Sequence, residues 1–127
     1  MTRLHHVQLS CPAGTEDATR AFWVDVLGLT EVDKPPALQG RGGCWFRAYD
    51  GDVVAAEIHV GVEADFRPAL KAHPALVVDD LDALAVALTA AGHPVDVSQR
   101  DTFPGYLRLH TADPHGNRVE LLQPLAR

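Results

Sequence analysis

The chain has 127 residues, 46% of them apolar and 22% charged, with a net charge of −6 and a pI near 5.5. That length suits one compact domain, or two half-size units too small to be stable apart, and the composition excludes a disordered or collagen-like chain. The acidic balance, with no run of Lys or Arg, argues against a nucleic-acid backbone or an anionic membrane as partner, so a small neutral or metal-chelating molecule fits better.

The opening residues, Met1-Thr2-Arg3-Leu4-His5-His6, have no apolar signal region, and no apolar stretch is long enough to cross a bilayer. A cytoplasmic protein is expected. Cys11 and Cys44 stand far apart and outside any C-x-x-C or Cys/His finger spacing. They read as reduced packing residues.

In chain order, Leu4 to Ser10 reads as a strand stopped at Cys11-Pro12, after which Gly14-Thr15 turns the chain and Thr15 caps a helix. Glu16 and Asp17 suit the positive end of that helix, and Ala18, Ala21, Phe22, Val26 and Leu27 recur at helical spacing. Gly28 ends it. Leu29 to Val32 is a short strand, and a loop around Pro35-Pro36 with Gly40, Gly42 and Gly43 follows. Cys44 to Tyr49 is a third strand, Asp50-Gly51 a hairpin turn, and Val53 to Val62 a long fourth strand.

Glu63 to Ala72 reads as a linker, polar and broken by Pro68. The order then restarts. His73 to Val78 is a strand, Asp79 or Asp80 caps a helix with the apolar stripe Leu81, Leu84, Ala85 and Leu88, and Gly92 ends it. Strands follow at His93 to Val97, Tyr106 to Ala112 and Arg118 to Gln123, the last two joined by the turn Asp113-Pro114-His115-Gly116. The chain therefore divides into module one (1–62), a linker (63–72) and module two (73–127), two copies of one unit whose cores must be shared. Both copies carry potential metal ligands at corresponding places, which suggests one shared site.

Alternation along strands sorts those candidates. Val119 and Leu121 face the helix, which sends Glu120 to the other side. Ile58, Val60 and Val62 likewise leave Glu57 and His59 together, either of which could be a ligand. Val7 and Leu9 share the face of His5, so His6 falls with Gln8 on the opposite face. In the strand from Tyr106, the side chains of Tyr106, Arg108 and His110 share one face. Trp45, Phe46, Tyr49 and Phe103 are candidate apolar walls. His5, His93 and His115 read as half-buried or surface histidines, and Asp113, Gly116 and Asn117 as turn-formers.

Four segments, Leu4-His5-His6-Val7, Ala21-Phe22-Trp23-Val24-Asp25-Val26-Leu27-Gly28-Leu29, His73-Pro74-Ala75-Leu76-Val77-Val78-Asp79-Asp80-Leu81 and Asp113-Pro114-His115-Gly116-Asn117-Arg118-Val119-Glu120-Leu121, together resemble the vicinal oxygen chelate superfamily of glyoxalase I, methylmalonyl-CoA epimerase, extradiol dioxygenases and the fosfomycin and bleomycin resistance proteins. The resemblance implies an α+β fold of two βαβββ modules forming curved mixed sheets around a cavity. It also implies metal ligands at His6, His73 and Glu120, with a fourth at the end of the fourth strand, where His59 is the choice over Glu57. Three imidazoles and one carboxylate suit Ni, Co, Zn, Fe or Mn.

Two modules in a short chain resemble the glyoxalase and epimerase members, in which a divalent metal binds two vicinal oxygens of a small substrate and stabilises an enediolate. Glu120, His59, Tyr106 and His110 are the candidate catalytic residues. A second reading is an extradiol-type Fe(II) dioxygenase held by His6, His73 and Glu120, although the family's ring-cleaving signature has a tyrosine where His110 stands. A third is a metal-free antibiotic-binding resistance protein. A homodimer is the expected assembly.

Overall fold

The computed structural model describes residues 1–126 and separates into two compact units, Met1–Pro68 and the residues from Ala69 on. The fold is α+β, with a four-stranded and a three-stranded mixed sheet consistent with two βαβββ modules.

In the first unit, β1 (Val7–Cys11) leads through α1 (Glu16–Arg20) and a π-helical run, Ala21–Val26, to β2 (Thr30–Val32). A 3₁₀ helix, Pro36–Arg41, follows where a loop was expected, and β3 (Cys44–Asp50) and β4 (Val53–Val62) form a hairpin. The sheet order is β1-β4-β3-β2, with β1 parallel to β4 and the rest antiparallel. The first strand begins at Val7 rather than Leu4, so His6 stands just ahead of it.

The helix departs from its expected periodicity. Past Arg20 it widens, and Leu27 N–H donates to the Phe22 carbonyl at 3.0 Å, a bond five residues back. Widening rotates the apolar stripe, so Phe22 and Trp23 are both fully buried while Ala18 and Ala21 are exposed. Thr15 does not cap with its side chain; its hydroxyl donates instead to the Pro12 carbonyl at 2.7 Å. The helical segment covers the β3–β4 face that carries Cys44, Phe46, Ile58 and Val60, and Trp23 packs on Phe46. Aromatic side chains of this size bury about 150–250 Å² each and dominate such a core.

In the second unit, β5 (Ala75–Val77), α2 (Leu81–Ala90), β6 (Tyr106–Ala112) and β7 (Arg118–Pro124) form a sheet of order β5-β7-β6. Asp80 caps α2, its carboxylate accepting from Ala83 N–H at 3.0 Å. Leu81 and Leu88 of that helix and Leu109, Val119 and Leu121 of the sheet make an aliphatic core. The strand expected at His93 to Val97 contracts to one bridge, Asp96 to His110. Pro94, with no N–H to donate, stands inside that stretch.

The end of the expected linker belongs to this unit. Ala69 N–H donates to Asn117 Oδ1 at 3.0 Å, and the Ala69 carbonyl accepts from Arg118 N–H. The turn after β6 is tied inward too, because Asp113 Oδ1 accepts from His115 and Asn117 N–H and Asp113 Oδ2 from the Asn117 amide.

Candidate functional site

Each sheet has one face under its helix and one face free of it, and the ligand-type residues lie on the latter. Register makes the repeat explicit. In the first unit Gln8 pairs with His59 and Trp45 pairs with His59 from the other side. In the second, Ala75 and His110 pair with Glu120 in the same two directions. His6 lies two residues before Gln8 and His73 two before Ala75, so His6, Trp45 and His59 occupy the places of His73, His110 and Glu120.

In the first unit, Glu57 and His59 are buried on the same face, as alternation along β4 requires. Glu57 Oε2 accepts from His59 Nε2 at 2.7 Å and Oε1 from Arg47 Nε at 2.7 Å. Burial works against the Glu57 carboxylate, but the bonds from His59 and Arg47 prevail and hold its pKa below the usual range. Burial pushes His59 the opposite way for a base, below the usual imidazole range, despite Glu57. The His59 ring lies flat between Trp45, at 3.7 Å between centroids, and His6, at 4.0 Å. Val62 is exposed at its strand end, unlike Ile58 and Val60.

In the second unit, His73, His110 and Glu120 converge, with one ligand atom from each lying within 4.8 Å of the others. His73 Nε2 is 2.8 Å and His110 Nε2 3.4 Å from Glu120 Oε1. The His73 Nδ1–H donates to the Lys71 carbonyl at 2.8 Å. A neutral His73 in that tautomer turns a lone pair toward a carboxylate oxygen. Two acceptors at that separation require either a second proton on His73 or a cation shared between them, and a ring N–H anchored on a carbonyl is the usual outer support of a metal-ligating histidine. His110 Nδ1 is buried without a hydrogen-bond partner among the described residues. Burial, reinforced by Arg118, pushes His110 below the usual imidazole range, toward the neutral form a metal requires. The residues present therefore fit a divalent ion.

Glu120 is also held from its other oxygen. Arg108 Nη1 lies 3.3 Å from Oε2, its Nε donates to the Gln99 carbonyl, and its Nη2 donates to Thr102. Burial raises the Glu120 carboxyl, but His73 and Arg108 outweigh it and keep the pKa low. Phe103 meets Tyr106 edge-on and Arg108 lies over its ring, so the Gln99–Phe103 loop is fastened across this part of the sheet.

The structure thus places His73 with Glu120 and adds His110, which the sequence suggested as an acid or base rather than a ligand. His6 joins His59 in the first unit. Tyr106 and Arg108 share the Glu120 face as expected. Among the expected cavity walls, Trp45 stacks on a candidate ligand, whereas Phe46 lies in the core under the helix and Tyr49 and Phe103 are largely exposed. No helix among the described residues is long and apolar enough to cross a membrane.

The chain is similar in structure to a protein from Bacillus anthracis described as a glyoxalase family member, at 37% identity and TM-score 0.86 over 98% of this chain and 97% of that one. It shares its fold with TnmS3, an antibiotic binding protein from Streptomyces sp. CB03234, at 22% identity and TM-score 0.67 over 98% and 99%. It also shares its fold with FosX, a fosfomycin resistance protein from Listeria monocytogenes, at 14% identity and TM-score 0.72 over 98% and 95%. No curated protein matches it. Residues 3–121 match the family model, and the chain belongs to the Glyoxalase/Bleomycin resistance protein/Dioxygenase superfamily.

Proposed function

We propose that the protein is a divalent-metal enzyme of glyoxalase or epimerase type, a cytoplasmic homodimer acting on a small molecule through two vicinal oxygens. The observation that carries this reading is the convergence of His73, His110 and Glu120 on one point, with the His73 tautomer anchored at Lys71. These three residues would hold the ion, and His6 and His59 are the first unit's candidate ligands. Ni, Co, Zn, Fe and Mn all suit such donors. When bound, the ion supplies Lewis-acid stabilisation of the negative charge that develops as a proton leaves the carbon beside the oxygens.

The chain's own contribution is orientation and proton movement. Arg108 keeps Glu120 ionised and aligned, and burial keeps His110 neutral. In the first unit, His59, oriented by Glu57, is the candidate base as the alternative to its role as a ligand, with the carboxylate stabilising the imidazolium formed. Tyr106 stands on the same strand face as His110 and is the further candidate proton donor.

A second reading is favoured by one specific contact. Arg108 Nη1, 3.3 Å from Glu120 Oε2, already gives that carboxylate a positive counter-charge without an ion, as a metal-free binding protein of this fold would require.

Elemental analysis of untagged protein purified without chelators, beside the Glu120→Ala and His73→Ala variants, separates these readings. Stoichiometric metal in the parent and its loss in both variants is the expected result. Nickel, cobalt, zinc or manganese would direct assays to isomerase and lyase chemistry, and iron would direct them to catechol cleavage. Metal retained in His73→Ala overturns the ligand assignment, and no metal in the parent after reconstitution makes the protein a binder.

A further inference from the structure

We infer that the concavity beside β6 in the second unit is an anchoring pocket in which Arg118 binds the carboxylate of a short aliphatic acid. The idea deepens the enzymatic reading, on which it rests for the fate of the other end of the molecule.

The pocket measures about 240 Å³, with Leu70, Pro94 and Ala112 as apolar walls and His110 and Arg118 among its lining residues. Ala112 is the register partner of Arg118, and its small side chain leaves space over the sheet. His110 is common to the pocket and the donor set, so the two are contiguous.

Arg118 is the cation left available here. It is half-buried, and no carboxylate among the described residues forms an ion pair with it. Arg108, on the same sheet face, is by contrast occupied by Glu120, Gln99 and Thr102. The single carboxylate of the lining, Asp96, has its pKa held low by hydrogen bonds from Ser98, whose N–H lies 2.9 Å away, and more weakly by the charges of His110 and Arg118, so it is a partial counter-charge that an incoming carboxylate must outcompete. A guanidinium framed by apolar walls favours a planar anion that it can meet with two parallel N–H bonds. Arg118 lies two residues before Glu120 on β7, so their side chains leave the same face roughly 7 Å apart, at about 3.3 Å per residue. The geometry points to a short aliphatic acid whose vicinal oxygens lie at the end away from its carboxylate.

The test is an amide chemical-shift titration of the full chain with 5-hydroxy-4-oxopentanoate and with its uncharged methyl ester, before and after loading with zinc. The expected result is that the acid shifts Ala112 and Gly116, while the ester and the Arg118→Leu variant bind at least ten-fold more weakly. Arg118→Lys should recover part of the affinity. Leu70→Trp, at a site 75% exposed and so safe for folding, should also weaken binding by filling the mouth. No shift in the parent protein, or equal affinity for the ester or by Arg118→Leu, overturns the inference. Zinc affinity is read in the same samples. An acid that binds to protein unable to hold any metal would overturn the enzymatic reading and leave the anchoring pocket standing.

Discussion

The two units spend the same positions of the same fold differently. At the three register-equivalent places the first unit has His6, Trp45 and His59, and the second has His73, His110 and Glu120. Trp45 lies parallel to His59 at 3.7 Å between centroids, whereas His110 turns a ring nitrogen toward Glu120. Two of the three places differ, Trp45 for His110 and His59 for Glu120, and those two exchanges separate a stack of rings from a set of donors. The cores differ in the same manner. Phe22, Trp23 and Phe46 fill the first, and Leu81, Leu88, Leu109 and Leu121 the second.

The largest effect should come from the aromatic core. Phe46→Ala is expected to cost about 3–5 kcal/mol, and Leu109→Ala in the aliphatic core about 2–5. Urea unfolding measured by circular dichroism checks both, and a loss below about 1 kcal/mol for Phe46→Ala would show that the first core does not depend on that ring. The donor contrast is sharpened by exchanging the equivalent residues. His110→Trp should weaken zinc binding by more than the roughly 10- to 100-fold that loss of an outer-shell partner costs, whereas Trp45→His should not weaken it, both read by calorimetry. A deficit in Trp45→His would draw the first unit's stack into the metal's support.

The smallest effect concerns Cys44. Burial pushes its thiol up to about 11, so at pH 8 the reactive thiolate is scarce. A disulfide reagent should label it only as fast as the first unit opens, and rapid stoichiometric labelling of the native protein would break that account.

Much of this was legible in the sequence, for identifiable reasons. Strand alternation put Glu57 with His59 and isolated Glu120 among apolar neighbours, and Asp80 before a leucine stripe marked a helix start. The resemblance of the segments around Phe22, His73 and Asn117 led to the fold. What escaped was set by contacts between strands. The widened helix follows from how Phe22 and Trp23 share one core, which single-helix periodicity cannot show. His110 as a partner of Glu120, and Trp45 as a partner of His59, depend on register, and in the first hairpin the register shifts between Ala48 and Tyr49. Asn117 reads as a turn residue and is one, but its burial and its clasp on Ala69 come from a residue far back in the chain.

That clasp has a counterpart at the other end of the connecting segment, where Glu63 N–H donates to the Cys11 carbonyl at 3.0 Å. Between these fastenings the backbone from Ala64 to Pro68 is largely exposed, and Asp65 adopts a left-handed φ of 53°, a conformation that aspartate tolerates. If the two modules descend from a duplicated gene, this is the splice between the copies. It is also where an epitope or reporter could be inserted with least disturbance to either half, whereas one inserted a few residues later, at Ala69, would prise open the Asn117 turn.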